Sequence, residues 1–161
     1  MTTQTRPGEP IVLERSYKAS IQDIWELWTT KTGFESWWGP QGFRAEVHEI
    51  DPRAGGTLRY DMIADTPEMV AEMKKLGSDP MHRVTARFSE IVPLKRLVIV
   101  SVIDFLPGVE PYDSTIAVDF RVEGDRVSMV TTLYPMMSLE MSQMQKEGYS
   151  SQLTKLDARF A

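Results

Sequence analysis

From residue 43 to residue 134 the sequence reads as six short strands, several of them alternating apolar and polar side chains, separated mostly by turn residues. Phe43, Ala45 and Val47 alternate with Arg44, Glu46 and His48, and Leu58, Tyr60 and Met62 alternate with Thr57, Arg59 and Asp61. Residues 84–91, 97–103, 115–122 and 127–134 read as further strands. A period of two puts one side of each stretch in a core and the other in water. Asp51-Pro52, Gly55-Gly56 and Glu123-Gly124-Asp125 turn the chain within a few residues, which joins neighbouring strands antiparallel. This pattern restricts the chain to a single antiparallel meander with one buried face.

Helices flank the meander. Residues 11–17 alternate as a first strand, and Ser20 with Asp23 then reads as a capping box before Ile21, Ile24, Trp25 and Trp28. Thr32 with Glu35 predicts a second, short helix through Phe34 and Trp37, ended by Gly39-Pro40. Residues 65–76 predict an inserted helix between the third and fourth strands. Pro67 lies in its first turn, Met69, Met73 and Leu76 on one face, and Gly77 at its end. A long helix over residues 139–160, capped by Ser138, closes the chain with Met141, Gln145, Tyr149, Leu153, Leu156 and Phe160 near one stripe. Gly148 sits mid-helix, and close packing against a neighbouring backbone is the expected reason. The order β-α-α-β₆-α with an inserted helix is an α+β fold. A twisted sheet of about seven strands must curl around the long helix, and that curl leaves room for an interior cavity.

The composition narrows the function classes. At 161 residues, 42% hydrophobic and 25% charged, the chain is one folded domain over residues 11–161 behind a polar, disordered tail over residues 1–10. Cysteine is absent, which excludes disulfides, thiolate nucleophiles and zinc–thiolate sites. The net charge is −5 with no basic cluster, so a nucleic-acid partner is not expected. No apolar run reaches the roughly 20 residues of a membrane span and the polar N-terminus is no signal peptide, so the expected location is the cytoplasm with no membrane partner.

Phosphate-loop, dinucleotide, nucleophile-elbow and H-E-x-x-H motifs are all missing, and no catalytic set, metal site or cofactor is expected. His48 belongs to the polar side of its strand and should face solvent. His82 opens the fourth strand and could stand at a cavity mouth with Asp61 or Tyr60 nearby, where a histidine can act as acid or base. Arg53 should pair with Asp51 in its turn.

Ten methionines are many for this length; Met129, Met136, Met137, Met141 and Met144 crowd the last strand and helix start, with Met62, Met69 and Met73 around the inserted helix. Flexible thioethers suit either an irregular core or a pocket that accepts varied apolar shapes. The candidate ligand-binding residues are Trp37, Tyr60, Met62, Phe88, Phe105, Met129, Met141, Met144 and Tyr149, with Tyr112 a further aromatic and Trp38 a structural corner. Residues 104–113, together with the inserted helix, could gate such a pocket.

Several of these stretches resemble a known family. Glu14-Arg15 to Ala19, Ile24-Trp25, Trp28 and Trp37-Trp38-Gly39-Pro40-Gln41-Gly42-Phe43 resemble the START-like SRPBCC superfamily, in the branch named after the activator of heat-shock-protein ATPase. Asp51 to Gly56 is similar to that branch's D-x-R-x-G-G turn, residues 88–97 to its F-x-E-I-x-P-x-x-R-L strand, and Gly148-Tyr149, Leu153 and Leu156 to its terminal helix. Tyr149 stands where Trp is usual, residues 65–80 replace a short hairpin, and the chaperone activator's separate N-terminal domain has no counterpart in these residues.

The resemblance implies a helix-grip fold with a ligand cavity and does not imply one reaction. The leading expectation is a binding protein for a small apolar or aromatic molecule. The alternatives are a cyclase or dehydratase acting on a polyketide-like or aromatic substrate, and a chaperone-ATPase co-regulator or other protein-interaction module. A homodimer through a paired edge strand is compatible with each.

Overall fold

The computed structural model describes residues 9–104, 108, 110–135 and 138–160. Seven strands form one antiparallel sheet: β1 (Ile11–Tyr17), β2 (Phe43–Ile50), β3 (Thr57–Ala64), β4 (Met81–Val92), β5 (Arg96–Ile103), β6 (Tyr112–Glu123) and β7 (Arg126–Leu133). Their spatial order is β1-β7-β6-β5-β4-β3-β2, so a plain meander is closed at one edge by the first strand. Four helices complete it: α1 (Ile21–Thr29), α2 (Lys31–Glu35), α3 (Pro67–Lys75) and α4 (Leu139–Arg159). Because β1 and β2 lie on opposite edges, α1 and α2 carry the chain from one edge to the other. Register shifts at Val47/Glu49 in β2 and Phe88/Glu90 in β4 mark local bulges, which increase the curl of a sheet.

Local chemistry explains the helix ends. Ser20 Oγ accepts from Asp23 N at 3.1 Å, as its capping pattern predicts. The second cap differs from the expectation. Thr30, not Thr32, caps α2 by accepting from Gly33 N at 3.0 Å, while its own N–H closes α1 on the Glu26 carbonyl. Glu35 Oε2 instead accepts from Val47 N at 2.7 Å and from Lys31, fastening α2 to β2. One threonine can serve both helices only because residue 33 is glycine: a Cβ there would stand 2.0 Å from the Glu26 carbonyl oxygen.

The inserted helix has Pro67 in its first turn, as expected, and Thr66 supplies the cap that the sequence reading did not name. Its apolar face is not buried, however, and Leu76 is 71% exposed. Met69 provides the seat instead, its methyl lying against Gly42, and Asp65 N donates to the Gly42 carbonyl at 2.7 Å. Residues 105–107 and 109 of the expected gating loop, Phe105 among them, lie outside the described residues, as do Met136, Met137 and the first eight residues of the expected tail.

The core lies between the sheet and α4, and it is aromatic at one end. Trp28 packs edge-to-face on Trp37 and Trp38, at 5.0 and 5.4 Å between centroids, and Phe34 stacks on Trp38 at 4.6 Å. Such pairs add roughly 0.5–1.5 kcal/mol each beyond area burial. Their polar edges are satisfied: Trp37 Nε1 donates to the Leu27 carbonyl, Trp38 Nε1 to Tyr60 Oη and Trp28 Nε1 to Met129 Sδ.

Gly148 overturns its expectation. Beyond the backbone of its own helix, a Cβ built there meets no atom of the described residues within 4 Å, so no neighbouring backbone among them packs against it. Gly148→Ala should therefore raise stability by about 0.5–1 kcal/mol, since Ala is the better helix former. Gly33→Ala should lower it, because the added carbon collides with Glu26. Chemical denaturation of the two variants checks the pair; equal and opposite signs to those stated would contradict the packing described.

Candidate functional site

The concave face of the sheet is sealed at one end and half open at the other. On β3, β4, β5 and β6 the inward positions Leu58, Tyr60, Phe88, Leu97, Ile99 and Val118 are buried. Further along the same strands the inward positions Met62, His82, Ser101, Ile103 and Tyr112 are only partly buried. Register makes these neighbours: Met62 pairs with His82, and Ile103 with Tyr112. The N-terminal half of α4 spans this open part, with Met141 Sδ 4.0 Å from Tyr112 Oη and Gln145 Nε2 donating to Ser114 Oγ at 3.2 Å.

The sealed end is where α4 is held most firmly. Gly39 N donates to Gln152 Oε1 at 3.0 Å, Gln41 N to Ser151 Oγ at 3.0 Å, Gln41 Nε2 to Thr154 Oγ1 at 2.9 Å and Lys155 Nζ to the Phe43 carbonyl at 3.0 Å. From the other edge, Tyr17 Oη donates to Asp157 at 2.7 Å while Arg15 pairs with the same carboxylate at 3.3 Å. Gly39 adopts φ +105°, a conformation open to glycine at little cost, and this turns the Trp38–Phe43 corner onto the helix.

The residues singled out from sequence divide between these two regions. Trp37, Tyr60, Phe88, Met129 and Tyr149 lie in the sealed part, all of them buried. Tyr149 Oη bonds Thr131 Oγ1, and burial raises its pKa. Met62 and Met141 border the open part. Met144 is 62% exposed on the solvent side of α4, because the helical period that turns Gln145 inward turns its predecessor out. Sequence reading passed over Ser101, Ser114 and Gln152. Gln152 was legible in principle, as a polar side chain three residues after Tyr149 on the apolar stripe.

Two groups of titratable residues need separate accounts. His82 faces inward at the rim, where burial lowers its pKa against the opposing pull of Asp104 and Asp61, so its imidazole is neutral at pH 7. Asp61 does not join it. Strand alternation places Asp61 on the outer face, where its carboxylate holds His48 Nε2 at 2.7 Å and Arg83 Nε at 3.2 Å. His48 is on the outer side as expected, yet is tied to Asp61. Tyr60 is inward, and burial pushes its hydroxyl up to about 12, which keeps it a phenol. The trio His82, Asp61 and Tyr60 is therefore split across the sheet and does not form one acid–base site. Arg53 pairs with Asp51 at 2.7 Å, as expected.

Among the described residues no group of three His, Cys, Asp or Glu side chains could hold a metal ion, and no helix is long and apolar enough to cross a membrane. An open groove of about 500 Å³ lies between α3 and β3, with Ile63, Pro67 and Val70 beside Arg44, Asp65 and Lys74. Arg44 pairs across it with Asp65 at 3.5 Å.

A seven-stranded curled sheet gripping one long C-terminal helix is the helix-grip architecture of START-like SRPBCC proteins. Within that class the chain belongs to the family described as "Activator of Hsp90 ATPase homolog 1-like protein", whose sequence model matches residues 18–161. No curated protein matches. Similar solved structures include a Chromobacterium violaceum protein, 21% identical with a TM-score of 0.70, covering 94% of this chain and 96% of that one. The AHSA1 protein of Silicibacter pomeroyi is 18% identical with a TM-score of 0.71 over 94% and 96%. CalU16 of Micromonospora echinospora is 18% identical with a TM-score of 0.63 over 94% and 76%. These likenesses establish the fold.

The outer-face cluster gives a pH prediction. The hydrogen bond from His48, aided by Arg83 and opposed by burial, holds the Asp61 carboxyl below the usual carboxylate range. A depressed folded-state value contributes stability above the unfolded pKa of about 3.9, and that contribution is lost as pH falls through the folded value. Asp61→Asn should lower the melting temperature at pH 6 and flatten its fall below pH 4. Melts of both proteins across that range check it; parallel curves would contradict the linkage.

Proposed function

We propose that this protein binds a small apolar or aromatic molecule in the half-open part of its concave face. The observation that carries the reading is the change in burial along single strands: inward residues are sealed at Tyr60, Phe88 and Ile99 and only partly covered at Met62, Ser101 and Ile103. On β5 the partly covered positions are Ser101 and Ile103, and on β3 Met62 lies between buried Tyr60 and Ala64. On β4 and β6 only the end residues His82 and Tyr112 are partly covered; a guest under the first half of α4 would cover this set. In this reading Met62, Ile103, Tyr112 and Met141 supply adaptable apolar contacts. The buried Trp37, Tyr60, Phe88, Met129 and Tyr149 form the rigid floor against which a ligand would rest. His82, uncharged at neutral pH, fits an apolar guest better than an imidazolium would. The family's name refers to a chaperone activator; the ligand reading rests on the concave face of this chain instead.

The test is thermal stabilisation by a panel of fatty acids, flavonoids, aromatic polyketides and sterols. A ligand at a hundred times its dissociation constant stabilises by about 2.7 kcal/mol and should raise Tm by roughly 5–10 °C. Ser101→Phe, which fills the open part from the sheet side, should weaken any such ligand at least about tenfold while the chain stays folded. No rise with any class, or a rise untouched by Ser101→Phe, would overturn the reading.

A further inference from the structure

We propose, building on the ligand-binding reading above, that the ligand is uncharged and carries a carbonyl oxygen that accepts a hydrogen bond from Gln152 Nε2. Gln152 is 4% exposed, and its Oε1 accepts from Gly39 N at 3.0 Å. A peptide N–H can only donate, so the amide orientation is fixed: oxygen towards Gly39 and nitrogen away from it. That buried Nε2 has no partner, although buried donors are almost always satisfied. Gln152 stands at the boundary of the two parts: the Gly39 that holds its oxygen is approached by Met62 Sδ, 3.1 Å from the position a Cβ would take, and Met62 borders the open part. Met62 is in turn the cross-strand neighbour of His82.

Gln145 repeats the arrangement seven residues earlier, about 10 Å back along the helix axis. Its Nε2 donates to Ser114 and its Oε1 is unpartnered. Met141, Gln145, Gly148 and Gln152 follow helical spacing along one flank of α4, and beyond the helix's own backbone no atom of the described residues stands within 4 Å of a Cβ at Gly148. The flank thus offers two unused polar atoms with unfilled space between them, a length that suits two or three fused rings.

Charge selects among acceptors. Among the described inward residues of the open part none is Lys or Arg. Arg15 is engaged with Asp157 and Lys155 with the Phe43 carbonyl, both at the sealed end. Asp104 acts on His82 at the rim, and Glu110 stands two residues before Tyr112. A carboxylate would enter without a counter-charge and against this acidic rim, whereas a ketone, quinone or lactone oxygen matches a neutral amide donor.

The test compares matched pairs on the wild-type chain by calorimetric titration: 9-fluorenone against fluorene, flavone against flavan, with 9-fluorenone-2-carboxylate as the charged control. The carbonyl member of each pair should bind roughly tenfold tighter, and the carboxylate should bind more weakly than its parent ketone. The carbonyl stretch of bound fluorenone should move to lower wavenumber, and Gln152→Met should abolish that shift and bring the pair ratio to near one. Should that variant fail to fold, the wild-type ratio and stretch decide. Equal affinities within each pair, as when a bound water already satisfies Nε2, or tightest binding of the carboxylate, would overturn the proposal and leave the ligand reading standing. Binding of none of the compounds would overturn both.

Discussion

Helix α4 is clamped along its C-terminal half from both edges of the sheet. Four hydrogen bonds from the Gly39–Phe43 corner reach Ser151, Gln152, Thr154 and Lys155, while Tyr17 and Arg15 of the opposite edge converge on Asp157. In its N-terminal half Gln145 bonds Ser114 and Met141 makes a long approach to Tyr112 before Tyr149 bonds Thr131. The two halves of one 21-residue helix therefore do different work. The clamped half presses Leu153 and Leu156 into the core and seals it, and the other half stands over inward residues it does not cover.

The aromatic cluster makes this asymmetry rigid. Trp28, Phe34, Trp37 and Trp38 fill the sealed end with ring contacts between 4.6 and 5.4 Å, and their indole nitrogens are engaged by the Leu27 carbonyl, Tyr60 and Met129. Large side chains with satisfied polar edges leave little freedom to slump into neighbouring space. In the ligand-binding reading proposed above, this cluster is the rigid wall beside the partly covered inward residues.

Much of the fold was legible because its signals are local. Period-two alternation marked most strands, β5 reading instead as a short apolar run, and Ser20 and Ser138 announced two helices through their caps while Pro67 marked the start of a third. Where reading and structure differ, a long-range partner decides. Thr32 with Glu35 matched a capping pattern, yet Glu35 is taken by Val47 of β2 and Thr30 caps in its place. Asp61 looked available to His82 by proximity in the chain, but pleating sends the two to opposite faces. Gly148 was expected to admit a neighbour, and none comes among the described residues. The site itself was the least legible part, since the contrast between Tyr60 and Met62, two residues apart on one strand, depends on where the clamp ends. Spacing alone places both on the same face.

The methionines offer the most direct test of a sealed and an open half within one core. Met62 and Met141 border the open part, Met129 is buried in the sealed part, and Met144 faces solvent. Methyl NMR of the methionine-labelled protein, titrated with a neutral aromatic ketone, reads all four at once. The account predicts saturable shifts at Met62 and Met141 with Met129 and Met144 unmoved. Shifts confined to Met144 would mean surface adsorption, and shifts centred on Met129 would mean that the end described as sealed is the one that opens; either result would contradict the account.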